Sequence, residues 1–223
     1  MNERYKYFKS NWNSTLTDRY FVIEFISSIF ILVCTMMIFS KFTAFVEMRK
    51  GIQFNDPLLD TFKAINLTKS IFAMIYGGIF LALASLLSSP YKLMILFEAY
   101  ALMVLVRILT LFILPLAPPV GMIFLQDPFV EFFGTSKTID NNLFFSGHTA
   151  TIFLLFLSVP KKLKWTFLII TFFVATSVLL QKVHYTVDVI IAPCISFISY
   201  YLILKLFRYR YKIENYELEF KSF

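Results

Sequence analysis

Apolar residues run through this chain in long blocks separated by short polar breaks, and the blocks set the reading of everything else. Six of them, at 21–46, 70–88, 92–116, 143–159, 164–182 and 184–207, approach or exceed the roughly 18 to 20 residues a helix needs to cross about 30 Å of hydrocarbon. Backbone exposed to lipid must satisfy its own hydrogen bonds, so each block is expected to be a helix. Ser88-Ser89-Pro90 and Pro160-Lys161-Lys162 punctuate the pattern as stop signals, and the polar, proline-rich stretch from Leu116 to Asn142 reads as a loop. The expected fold is all-α, a polytopic membrane protein with six transmembrane helices. It divides into a cytoplasmic N-terminal segment over 1–20, a membrane domain over 21–207 and a cytoplasmic tail over 208–223. Loops at 47–69 and 117–142 would lie on the outer side.

Composition agrees with this pattern. Of the 223 residues 58% are hydrophobic and only 16% charged, and the mean hydropathy is +0.72, a balance that argues against a water-soluble domain. The net charge of +7 could point to nucleic acid, but the basic residues flank the apolar blocks as they do at cytoplasmic membrane boundaries. With the N-terminus inside, thirteen of the 21 Lys and Arg residues, Lys161, Lys162 and Arg208 among them, fall on the inner side and seven on the outer. The positive-inside rule therefore places both termini in the cytoplasm. The polar first 20 residues carry no evident cleavage site, so no removable signal peptide is expected. Cys34 and Cys194 lie within apolar blocks and read as small buried hydrophobes.

The chain has only two histidines, His148 and His184, and the topology puts both at the outer ends of their helices. Arg107 lies 15 residues after Lys92, roughly 22 Å along a helix, in the same outer layer. A histidine at a helix end can be an interface residue, and an arginine there can snorkel. Asp188 changes the balance. An acid within a span is costly without a partner, and four residues after His184 it shares a helical face with it, so its carboxylate can hold one imidazole nitrogen and leave the other free to attack or to take a proton. Ser146-Gly147-His148 adds a small turn entering a helix, whose backbone N–H groups can face an anion. Two imidazoles and a carboxylate could also bind a metal, a reading that chelator-insensitive activity would remove. A transporter or scaffold is conceivable, but it gives no reason for His184 and Asp188 to accompany the Ser-Gly-His turn.

The order and spacing of these residues resemble the type 2 phosphatidic acid phosphatase superfamily over roughly residues 100–195. Arg107-Ile108-Leu109-Thr110 followed by Leu114-Pro115, Phe145-Ser146-Gly147-His148-Thr149, and the stretch from His184 to Ala192 are similar to its sphingomyelin synthase branch. Arg49-x-Gly51 and Asp56-Pro57-Leu58-Leu59 are similar to that branch's first outer loop. The phosphatase pattern is broken by Tyr100, Ile108, Phe145 and Val178, which removes two cationic phosphate ligands and leaves Arg107, the Ser146-Gly147 turn and Lys182 as the phosphate-binding set. The resemblance implies that His184 attacks phosphorus, that Asp188 orients it, that His148 protonates the departing alkoxide, and that Arg107 steadies the phosphoryl oxygens. It implies a lipid head-group phosphotransferase working without metal or organic cofactor. A lipid phosphatase or phospholipase-C-like hydrolase is the alternative. The partners would be a phospholipid, an acceptor that is a lipid alcohol or water, and the membrane itself, with no nucleic acid. The oligomeric state is not legible. Glu24 and Glu98 are intramembrane acids open to a structural or a functional reading, and Asp127, Glu131 and Asp140 make the second outer loop acidic.

Overall fold

The computed structural model describes residues 12–125 and 143–211. It is all-α and polytopic, with six principal helices: α1 (Arg19–Glu47), α2 (Thr68–Leu86), α3 (Pro90–Ile113), α4 (Gly147–Ser158), α5 (Lys161–Leu180) and α6 (Thr186–Arg210). Five of these are long and apolar enough to cross a membrane, and α4 is not.

The fourth apolar block, expected to be helical over 143–159, is a 12-residue helix, about 18 Å long. Leu143 to Ser146 run into it as irregular backbone. The shortening is tolerated because α4 is the central helix: nine of its residues are buried among α2, α3, α5 and α6, so the irregular backbone at its start need not face lipid. Small residues permit the close approach. Ser196 of α6 donates to the carbonyl of Ala150 at 2.8 Å, and Ala192 and Ala150 are fully buried. At its C-terminal end Lys164 donates to the carbonyls of Phe156 and Leu157, at 2.7 and 2.9 Å, and so closes the helix. α1 is peripheral. It packs extensively on α3 and leaves most of its surface exposed, as a lipid-facing helix should.

The end of α6 meets α1 and α3 at one end of the bundle. Arg210 forms a bidentate pair with Glu98, at 2.5 and 3.2 Å, and Tyr211 donates to Glu24 at 2.6 Å. Both intramembrane acids thus have partners in a polar cluster at the opposite end from the histidines. α6 also extends three residues past the expected boundary at 207, because Arg210 completes this cluster. Burial first, and then Glu24, push the Tyr211 phenol far above its ordinary value. Arg4, Lys6, Lys9 and most of the C-terminal tail lie outside the described residues, as do Asp127, Glu131, Lys137 and Asp140.

Candidate active site

The end of the bundle that carries the histidines is held by a knot of three connections. Gln181, fully buried, accepts from Leu67 N–H at 3.0 Å and donates to Thr68 Oγ1 and Ile123 O at 2.8 and 3.1 Å. Gly51 lies so close to Leu116 and Ala117 that a Cβ there would overlap their backbone, which lets Ile52 exchange hydrogen bonds with Pro115 and Ala117. Tyr185 donates its hydroxyl to Ala117 O at 2.9 Å and packs with Leu59, Leu116 and Leu143. The α1–α2 loop, the chain just after α3, the entry to α4 and the α5–α6 turn are therefore one packed unit.

That unit places His184 differently from the expectation. His184 does not belong to α6: it lies in the turn before it, and the helix begins at Thr186 after Tyr185. The reason is the first-turn hydrogen bonding. Asp188 Oδ2 reaches back to accept from Tyr185 N–H at 3.0 Å, as an acid in the third helical position does when it closes a helix start. Asp188 still faces His184, with Oδ2 3.7 Å from Nδ1, beyond hydrogen-bond range in the unliganded site. Both side chains are buried, His184 2% exposed and Asp188 0%.

Lys182 is likewise not helical. It takes φ of 56°, and the hydrogen bonds Lys182 N–H to Leu179 O and Val183 N–H to Val178 O make a Schellman ending to α5, a place usually taken by glycine. Its ammonium lies 5.6 Å from the centre of the Phe62 ring.

Ser146 caps α4, its Oγ accepting from Thr149 N–H at 3.4 Å, and its own N–H donates to Asp188 O at 3.2 Å. This last bond ties the start of α4 to the first turn of α6 and so fixes the two histidines relative to each other. Their ring centres are 6.1 Å apart. His148 is the second residue of α4, half-buried, with Phe72 of α2 against its ring edge at 6.1 Å between centres.

Arg107 arrives from α3. Its guanidinium lies directly on Gly147, where any Cβ would overlap Nη1, so the glycine of Ser-Gly-His makes room for the arginine. Phe39 of α1 and Phe145 flank the guanidinium at 5.7 and 5.8 Å. Five sequence-selected residues, Arg107, Ser146, Gly147, His148 and His184, thus converge with Asp188 at one place. His148 Nδ1, His184 Nδ1 and Asp188 Oδ1 are buried with no hydrogen-bond partner among the described residues, the condition of a site built to accept further donors and acceptors. Among the described residues no three His, Cys, Asp or Glu side chains are grouped so as to hold an ion together.

Residues 141–205 match a family described as PAP2 superfamily C-terminal. The matched segment holds α4, α5, most of α6, both histidines, Asp188 and Lys182. It supports the type 2 phosphatidic acid phosphatase superfamily and, with it, an enzyme acting on phosphate esters. Arg107 and the first outer loop lie outside it. No curated protein matches the chain.

Sequence reasoning passed over Asp56 as chemistry. Asp56 accepts from Thr186 N–H at 2.7 Å and Thr186 Oγ1 at 3.1 Å, and from Leu58 and Leu59 N–H within its own turn. Burial works against its charge, but these hydrogen bonds outweigh it, those from Thr186 foremost, and hold the carboxyl below its ordinary value. An Asp-Pro pair after a polar stretch signals a turn of this kind. Its distant partner leaves no local mark.

Proposed function

We propose that the protein is a membrane-embedded lipid head-group phosphotransferase, similar to sphingomyelin synthases, that works through a phosphohistidine. The observation carrying this reading is the approach of His184, backed by Asp188, to His148 at a helix start overlain by Arg107. Asp188 beside Nδ1 favours the Nδ1–H tautomer and leaves Nε2 as the nucleophile. Nε2 attacks phosphorus, the ester P–O bond to the lipid breaks, and His148 as imidazolium gives its proton to the leaving alkoxide. Arg107 and the α4 N-terminus offset charge on the phosphoryl oxygens, with Lys182 and the Ser146-Gly147 turn at the same end. In the second half His148 takes the proton of an acceptor hydroxyl, the acceptor oxygen attacks phosphorus, and the P–N bond breaks to restore His184. With water as acceptor the same steps give hydrolysis. The orientation that puts most basic residues inside supports a site on the extracytoplasmic side.

Purified protein incubated with labelled phospholipids, with and without ceramide or diacylglycerol, should move the phosphorylated head group to the added alcohol. Release of soluble head-group phosphate alone would establish the hydrolase instead. With a nitrophenyl phosphodiester, His148→Ala should give one burst of nitrophenol and an acid-labile phosphoprotein without turnover, and His184→Ala should give neither. A burst that survives in His184→Ala would overturn the assignment of the nucleophile.

A further inference from the structure

His184 stands outside the helix that carries its partner Asp188, so its aim depends on the backbone joining them. On one side that backbone is set by the left-handed turn at Lys182. On the other it meets Thr186, the first helical residue, whose amide and hydroxyl both donate to Asp56. The first-turn amides of α6 are therefore divided between two carboxylates: Tyr185 N–H goes to Asp188 and Thr186 N–H to Asp56. Asp56 is itself fixed. It is 7% exposed, its Oδ1 accepts from the Leu58 and Leu59 amides, and Leu59 in that turn packs on Tyr185 and on Leu143 at the entry to α4. A loop residue 130 positions away in sequence thus holds the peptide that follows His184-Tyr185.

We infer that Asp56 is a positioning residue which sets the tautomer and direction of His184 through Thr186. This rests on the reading of His184 as nucleophile. Without Asp56 the 184–186 backbone keeps the Tyr185 anchorage but loses its restraint at Thr186, His184 Nδ1 no longer faces Asp188 consistently, and Nε2 loses its aim at phosphorus.

Because the chain has only two histidines, selective ¹⁵N-histidine labelling of the full-length protein in detergent gives two imidazoles that NMR can separate. Wild-type His184 should be held largely as the Nδ1–H tautomer. Asp56→Ala should shift it towards a mixture while leaving His148 in place, and Asp56→Asn, which keeps an acceptor oxygen for Thr186, should restore much of the wild-type signal. If Asp56→Ala does not fold, Thr186→Val, which loses the hydroxyl but keeps the amide, should shift His184 in the same direction by less. In steady state Asp56→Ala should lower kcat about a hundredfold, the scale of a 1 Å misplacement, with the lipid KM within about twofold.

An unchanged His184 tautomer in Asp56→Ala would sink the inference, and so would both imidazoles changing together, the mark of general loosening. A raised KM with kcat intact would also overturn it. That result would make Asp56 a substrate contact through the cavity of about 250 Å³ it shares with Phe54, Asp60 and Tyr185. If the wild type turns over no phosphoester, the catalytic reading fails by itself, and the tautomer comparison still decides the role of Asp56.

Discussion

Replacing Gly147 by alanine adds one methyl group, and the structure fixes where it must go. The added Cβ would overlap Arg107 Nη1 and lie 2.7 Å from Cζ. Ordinary carbon–carbon contact is about 3.5 to 4.0 Å, and the overlap with Nη1 is deeper than that with Cζ, so the guanidinium has to retreat by at least about 1 Å. The obstacle is the end of a flexible side chain, so the move costs little stability, and alanine in a helix is favoured over glycine by up to about 1 kcal/mol. Gly147→Ala should therefore fold normally, with a thermal midpoint close to wild type.

Activity should respond quite differently. A 1 Å displacement of a group that orients the transferred phosphoryl costs about a hundredfold in rate, so kcat on the phospholipid should fall to about 1%. Arg107→Lys should also be poorly tolerated, because an ammonium cannot reproduce the guanidinium fork. Adding Gly147→Ala to it should cost little more, since the group that the methyl displaces is already gone. The assay is product formation in detergent–lipid mixed micelles, alongside a melting curve for each variant. Full kcat in Gly147→Ala, or strictly multiplicative losses in the double variant, would refute the idea that glycine is there to admit the arginine.

Lys182→Gly and Lys182→Ala remove the same ammonium, but only glycine suits the positive φ. If Lys182 is a phosphate ligand, both should lose activity equally, while the glycine variant should be the more stable by about 1 kcal/mol. Glu98→Gln should weaken the bundle by roughly 1 to 3 kcal/mol, because it leaves the partly buried Arg210 without its bidentate partner; kcat per folded molecule should stay unchanged, and a lost burst would give Glu98 a catalytic role. The Asp56 carboxyl has a depressed folded-state pKa, so its contribution to stability is complete above the unfolded value of about 4 and is lost as pH falls through the folded value. The melting difference between wild type and Asp56→Asn should shrink on acidification, and a difference that widens would contradict the geometry. In a cysteine-free background, a membrane-impermeant thiol reagent on intact cells should label a cysteine at exposed Lys63 and spare one at exposed Lys161; the reverse would invert the orientation.

The helices were legible because lipid leaves the backbone few options, so apolar length alone locates a span. Apolar length does not say whether a residue is helical. Hydrophobicity alone assigns Leu143, Phe144 and Phe145 to the fourth helix, yet they form the irregular approach to it, with Leu143 and Phe145 buried, and Ser146 marks the true start. The same confusion put His184 inside α6. Counting four residues from His184 to Asp188 gave the right pairing for a different reason: Asp188 reaches back across a helix start, a geometry that also brings residues i and i+4 together. Lys182 carries no turn signal, since its left-handed conformation is imposed by the close of α5. Asp56, Gln181 and Tyr185 were missed as organisers because their partners lie 113, 114, 130 and 68 positions away, separations that no local pattern records.

The shortness of α4 bears on which acceptor the site would use. Its 12 residues rise about 18 Å, short of a hydrocarbon layer about 30 Å thick. On the proposed orientation, with Lys161, Lys162 and the Lys164 cap at the inner boundary, the Ser146-Gly147 turn and His148 would lie roughly 10 Å below the outer boundary. In such a setting the attraction between Arg107 and a phosphoryl group is less screened than at the surface. Water has to pass the loop knot to reach a phosphohistidine there. Phe39 and Phe72, from α1 and α2, lie beside Arg107 and His148 and would give a lipid alcohol an apolar approach. On the proposed mechanism the recessed helix start thus favours the lipid hydroxyl over water as the second substrate, although both would use the same base.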